Sequence, residues 1–128
     1  MLPNLRELYI SNNRIVQIPD GYFTRCGQLT KLLLHDNKIK TIGENSFVNL
    51  SNLYELSLYN NEISVIKENA FVNVPGLRYL YLHNNNITVL DPKMTRSMPN
   101  LYVLYLNGNK IKTIEENSFV NLTNLTEL

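Results

Sequence analysis

The sequence predicts a curved repeat solenoid of α/β type, with a parallel β-sheet lining its concave side and irregular, 3-10 or short-helical segments on its convex side. Three observations carry that expectation. Leucines recur at intervals of 24 residues, an asparagine recurs in the same register, and a second apolar set with a phenylalanine fills the other half of each unit. The 128 residues suit one domain, and apolar residues at 44% are enough to bury a core, which excludes a disordered chain.

The strand half of each unit comes first. Leu5, Leu29, Leu53, Leu77, Leu101 and Leu125 form one column, Leu8, Leu32, Leu56, Leu80, Leu104 and Leu128 a second, and Ile10, Leu34, Leu58, Leu82 and Leu106 a third. The last two columns are separated by one residue, the alternation of a strand whose inward side chains fill the core while those between point outward. One unit cannot bury its own leucines. Stacking units about 4.8 Å apart pairs each strand with the next and closes a continuous core.

Asn13, Asn37, Asn61, Asn85 and Asn109 follow each strand, and Ile15, Ile39, Ile63, Ile87 and Ile111 follow them. An asparagine amide carries both donor and acceptor, so a column of them satisfies backbone groups left free where strands end. This column is expected to be a structural ladder rather than a ligand site.

The convex half supplies Ile18, Ile42, Ile66, Leu90 and Ile114, then Phe23, Phe47, Phe71 and Phe119, which are expected to stack as an aromatic spine. The fourth unit breaks the series. Thr95 stands where phenylalanine is expected, near Met94 and Met98, and Asp91-Pro92 replaces the lead-in seen at Glu68-Asn69. Two readings stay open there: flexible methionines refill the gap, or the site is a soft point or bend. Cys26 shares a column with Leu50, Val74, Met98 and Leu122, where a buried structural thiol is expected.

Written out, each unit is L-x-x-L-x-L-x-x-N-x-I followed by x-x-I-x-x-x-x-F-x-x-L. This resembles the leucine-rich repeat family, in the 24-residue phenylalanine-containing class typical of extracellular receptors and matrix proteins. The resemblance covers residues 1–128 as a single array of about five repeats and a partial sixth. It is similar to the repeats of Toll-like receptors, Slit-type guidance proteins, small leucine-rich proteoglycans and neuronal adhesion receptors. The resemblance implies a leucine-rich repeat horseshoe and a protein ligand, with glycans or lipids as further ligand classes.

Leu2-Pro3-Asn4-Leu5 parallels Met98-Pro99-Asn100-Leu101, and Leu128 falls inside the strand of a sixth unit. Neither end carries the polar or cysteine-rich cap such arrays use, so an uncapped fragment of a longer protein is expected. The near-identity of residues 38–53 and 110–125, which differ only at Gly43 against Glu115 and Ser51 against Thr123, points to duplication of a three-repeat block.

Function is sought in the variable outward positions, since the repeated ones are committed to the core. Three columns face the concave surface: Glu7, Lys31, Glu55, Tyr79 and Val103; Tyr9, Leu33, Ser57, Tyr81 and Tyr105; Ser11, His35, Tyr59, His83 and Asn107. Of the eight tyrosines only Tyr22 lies outside the strand segments. β-Propensity accounts for a single tyrosine on a pleated surface, whereas a cluster on a rigid concave face is what protein interfaces favour. The candidate ligand-binding patch is Tyr59, Tyr79, Tyr81, His83 and Tyr105, bordered by Tyr54, Arg78 and Tyr102, with Arg78 placed for cation–π contacts. The alternating charges of Glu7, Lys31 and Glu55 read as a solvated stabilising row.

Other classes find less support. The net charge of +1 arises from interspersed residues, so nucleic acid is not an expected partner, and no run approaches the roughly 18 apolar residues of a membrane span. His35 and His83 lie two repeats apart with no further ligand to complete a metal site. Ser11 beside His35 lacks a carboxylate to orient the imidazole, and no glycine loop cradles a phosphate, so no catalysis and no cofactor are expected. Asn49, Asn86, Asn121 and Asn124 begin N-x-S/T sequons, candidate N-glycosylation sites that agree with secretion and lie off the concave columns. The expected role is therefore ligand recognition by an extracellular or cell-surface receptor or adhesion protein. A structural matrix protein that organises fibrous partners, or a recognition module joined to an enzyme outside this segment, are the alternatives.

Overall fold

The computed structural model describes residues 2–128. Five short strands form the concave sheet: β1 (Glu7–Tyr9), β3 (Lys31–Leu33), β6 (Glu55–Ser57), β9 (Tyr79–Tyr81) and β10 (Val103–Tyr105). They pair in parallel in that order, with Glu7 opposite Lys31, Lys31 opposite Glu55, Glu55 opposite Tyr79 and Tyr79 opposite Val103. The register is the 24-residue repeat itself, so every sequence column becomes a line running across the sheet. An isolated bridge from Val103 to Glu127 continues the same register.

Two smaller parallel sheets complete the turns. β2 (Gln17–Ile18), β4 (Thr41–Ile42) and β7 (Val65–Ile66) form one, and β5 (Phe47–Val48) and β8 (Phe71–Val72) the other. Between them and the concave sheet lies one apolar core, in which Leu29, Leu32, Leu53, Leu56, Leu77, Leu80, Leu101 and Leu104 are fully enclosed. In the first repeat Leu5, Leu8, Ile10 and Ile15 are only partly buried. Cys26 belongs to that repeat and is a free, half-buried thiol packed against the core, not the enclosed one its column suggested. Likewise Ile114, in the convex apolar column, is 63% exposed, while Ile42 in the same column is fully buried.

The asparagine column stitches neighbouring repeats together. Asn61 Oδ1 accepts from the Ile39 backbone N–H at 3.0 Å, while its Nδ2 donates to the Leu58 carbonyl at 3.0 Å and to the Leu34 carbonyl of the preceding repeat at 3.1 Å. Asn37 and Asn85 repeat this pattern on Ile15 and Ile63, and Asn109 on Ile87. A second line, not singled out by the sequence pattern, runs through Asn12, Asp36, Asn60, Asn84 and Gly108, all with left-handed backbone. Asn60 Nδ2 donates to Asp36 Oδ1 and Asn84 Nδ2 to Asn60 Oδ1, each at 2.9 Å. Asn and Asp tolerate this conformation because their side chains compensate locally, whereas at Gly108 a Cβ would meet Asn84 Oδ1 at 2.2 Å.

The fourth repeat is built differently. Phe23, Phe47 and Phe71 stack with centroids 5.8 and 5.0 Å apart, but the spine ends there. Helix α1 (Pro92–Arg96) takes the place of a convex strand, started by Asp91, whose side chain accepts from the Lys93 N–H, with Pro92 in the first turn. Proline cannot donate to a sheet but suits the first turn of a helix. Thr95 fills the aromatic position with its hydroxyl 2.7 Å from the Ser118 carbonyl, and Met94 and Met98 are buried beside it. The break expected at the fourth repeat therefore stands, with three rings stacked before it and Phe119 half-buried on the far side of Thr95.

Replacing Asn61 with Ala strands the buried Ile39 N–H, at a cost of about 1–3 kcal/mol, and removes one of two amide donors from the Leu34 and Leu58 carbonyls, which keep those of Asn37 and Asn85, so the thermal midpoint should fall by several degrees in a circular dichroism melt. Asn13, exposed and bonded only to carbonyls of its own repeat, should give a much smaller shift on the same substitution.

Candidate functional site

The parallel register places equivalent outward side chains one strand spacing apart, about 4.8 Å, close to the separation at which flat rings stack. In the third concave column this produces a continuous pile. His35 lies over Tyr59 with centroids 4.5 Å apart and planes at 7°, and Tyr59 over His83 at 4.6 Å and 9°. Tyr81 and Tyr105 meet His83 edge-on at 6.3 and 5.8 Å, and pack on one another at 5.5 Å. His35 and His83, which share a column two repeats apart, are the two outer layers of a sandwich whose filling is Tyr59. The His35 Nδ1 lies 3.1 Å from the Ser57 hydroxyl, so the serine beside this imidazole is Ser57 rather than Ser11.

Along one border Tyr79 packs between Tyr54 and Tyr102, at 5.1 and 6.2 Å. Tyr54 and Tyr102 are 46% and 42% exposed, whereas Tyr59, Tyr79, Tyr81 and Tyr105 are half-buried by their neighbours. Arg78 is exposed on the same border, and the contacts there run from ring to ring. Two outward positions depart from expectation: Ser57 and Val103 are only 2% and 4% exposed, Ser57 lying between the larger Leu33 and Tyr81 of the adjacent strands.

The small Ser57 between Leu33 and Tyr81 leaves a depression of about 390 Å³ in the concave sheet, with Glu55, Tyr59, Tyr81, His83 and Tyr105 among its walls. Its composition could not be foreseen from one column, since it needs three columns and four repeats. Glu55 is paired with Lys31 at 2.8 Å, the Tyr105 hydroxyl donates to Glu127 at 2.6 Å, and the Tyr9 hydroxyl donates to Glu7. Glu127 was absent from the sequence-derived patch although it continues the column of Glu7 and Glu55; its period of 24 was the signal.

The electrostatics follow from these contacts. Burial raises the Tyr81 hydroxyl above its ordinary pKa, reinforced by Glu55 and Glu127, and the bond to Glu127 raises Tyr105. Both remain protonated donors at neutral pH. Burial pushes the His83 imidazole down, in keeping with its enclosed Nδ1, which has no hydrogen-bond partner.

The four sequon asparagines lie outside the five concave strands. Asn49, Asn121 and Asn124 are exposed and Asn86 is half-buried. The Asn49 backbone is left-handed and its Oδ1 accepts from Asn73, while Asn124 Nδ2 donates to Asn100 at 3.3 Å.

A family model described as leucine rich repeat matches residues 3–58, 27–87 and 75–128. The chain belongs to the leucine-rich repeat family. Among solved structures it is similar to a chain of the Toll–Spatzle complex from Drosophila, with a TM-score of 0.86 and 34% identity over 98% of this chain and 18% of that one. It is also similar to a chain of the TLR13–ssRNA13 complex, with a TM-score of 0.84 and 31% identity over 94% of this chain and 18% of that one. An internalin from Listeria monocytogenes matches with a TM-score of 0.77 and 28% identity over 98% of this chain and 35% of that one. This leucine-rich repeat chain therefore spans less than a fifth of the first two neighbours. Comparison with curated proteins gives no match. The TLR13–ssRNA13 neighbour bears on the expectation that set nucleic acid aside: repeats of this kind occur in an RNA complex, and an interspersed charge of +1 does not by itself exclude one.

His83 is held neutral in the folded chain, so the unfolded chain takes up the proton first as pH falls. Its contribution to stability is complete above about pH 6.5 and declines as pH falls through that value toward the depressed folded pKa. Urea midpoints measured from pH 8 to pH 5 should fall below pH 6.5, and His83→Gln should flatten that part of the profile.

Proposed function

We propose that this leucine-rich repeat array is the ligand-recognition segment of an extracellular or cell-surface receptor or adhesion protein, and that it binds a protein through its concave face. The observation that carries this reading is the pair of ring clusters on the concave face, one of Tyr59, Tyr81, His83 and Tyr105 and one of Tyr79 packed between Tyr54 and Tyr102, with Arg78 exposed beside the second. Tyrosine supplies large amphipathic contact area at small entropic cost, and here each ring is already immobilised by the next, so little ordering remains to be done on binding.

The Toll–Spatzle neighbour supports a protein ligand. A protein is favoured over RNA by the charges: Glu7, Glu55 and Glu127 stand on the concave side, and the one lysine there, Lys31, is engaged by Glu55. Recognition without catalysis fits a shallow, open site. Among the described residues no helix is long and apolar enough to cross a membrane. The sequons at Asn49, Asn86, Asn121 and Asn124 would carry glycans away from the ring surface, consistent with secretion.

The test is capture of extracellular binding partners by the intact protein, comparing wild type with Tyr81→Ala/Tyr105→Ala after circular dichroism shows equal folding. A specific partner should be lost or weakened by about thirtyfold or more, the scale of truncating central interface aromatics. Unchanged capture would reduce the tyrosines to sheet support and assign recognition to another surface.

A further inference from the structure

The depression at Ser57 is specific in its chemistry. Its floor is a serine enclosed by larger neighbours, at a position equivalent to Leu33 one repeat earlier and Tyr81 one repeat later. Its walls include the Tyr59–His83 stack and the paired rings of Tyr81 and Tyr105. Apart from the imidazoles, Glu55 is the only side chain lining it that carries a full charge at neutral pH. The Glu55 Oε2 is held by Lys31, which does not line the depression, leaving Oε1 for a second donor. At the other side the Tyr105 hydroxyl is anchored on Glu127, adding a second carboxylate to the local field.

Several aromatic faces and one carboxylate around a shallow depression favour a cation and oppose an anion. Among protein cations the guanidinium fits this set best. It is planar, stacks on ring faces, loses less hydration than an ammonium, and presents a fork of donors to carboxylate and hydroxyl oxygens.

We propose that the depression at Ser57 receives an arginine side chain of the protein ligand, its guanidinium against Tyr81 and Tyr105 and its donors toward Glu55. This rests on the concave face being the protein-binding surface and names what that surface selects. An exposed large side chain at position 57 would close the site, so Ser57 is its specificity-determining residue and Glu55 its charge-selecting one.

The experiment is saturation-transfer NMR on the intact protein with N-acetyl-arginine methylamide and its neutral isostere N-acetyl-citrulline methylamide. The arginine probe should give a saturable signal, and the citrulline probe should bind about fivefold more weakly or worse. Ser57→Leu, a residue the array already carries in this column at Leu33, should abolish the arginine signal in a chain whose circular dichroism spectrum remains that of the folded protein. Glu55→Gln should bring the arginine probe down to the level of the citrulline probe, and Tyr22→Ala, outside the concave strands, should change nothing. Equal binding of the two probes, or arginine binding that survives Ser57→Leu, overturns the inference. So does a single-stranded RNA oligonucleotide that binds in a Ser57-dependent way when the arginine probe does not. Partner capture that depends on Tyr81 and Tyr105 without any arginine preference would leave protein recognition standing and remove this inference alone. Absence of both would remove both.

Discussion

The buried asparagine amide between repeats is the interaction on which the rest of the molecule depends. Each of Asn37, Asn61 and Asn85 donates to a carbonyl of its own strand end and to one in the preceding repeat, and accepts an N–H from that preceding repeat. A chain that turns sharply out of a sheet leaves such groups without partners, and burying them unpaired costs more than any single apolar contact restores. Because one side chain answers to two successive repeats, it also sets their spacing. A slip of one residue would break every rung together.

The ring surface is a consequence of that spacing. Parallel strands in an unbroken register bring like columns to about 4.8 Å, and aromatic or imidazole side chains at successive positions then have little choice but to stack. His35, Tyr59 and His83 do so with their planes nearly parallel, while Tyr81 and Tyr105 of the neighbouring column meet His83 edge-on. A small residue in such a surface is conspicuous for the opposite reason. Ser57 is smaller than Leu33 and Tyr81 on either side of it, and a shallow depression lies over it.

Much of this was legible because a 24-residue period converts one-dimensional columns into spatial neighbours. The concave strands, the parallel sheet and the positions of Tyr79, Tyr81 and Tyr105 on it follow from counting alone. Counting could not show that Ser57 and Val103 would be enclosed, since that depends on the side chains set beside them in adjacent strands. Nor could it distinguish refilling from bending at the fourth repeat. There the outcome turned on Asp91 and Pro92 starting a helix and on Thr95 finding the Ser118 carbonyl.

The duplicated block shows where the boundary lies. Residues 44–50 and 116–122 have the same sequence, yet the first contains strand β5 and encloses Phe47, while the second is a series of turns with Phe119 half-buried. The difference is entirely in the neighbours: β5 pairs with β8, whereas residues 116–122 lie against α1 and the Thr95 hydroxyl. The sequence by itself determined the repeat register, the identity of the core and the face on which tyrosine gathers, because each follows from periodicity and from the need to pair buried backbone groups. Tertiary structure alone decided which convex segments become strands, which outward residues are enclosed, and that a serine among large rings leaves a shallow depression, because those depend on side chains from different repeats meeting across the stack.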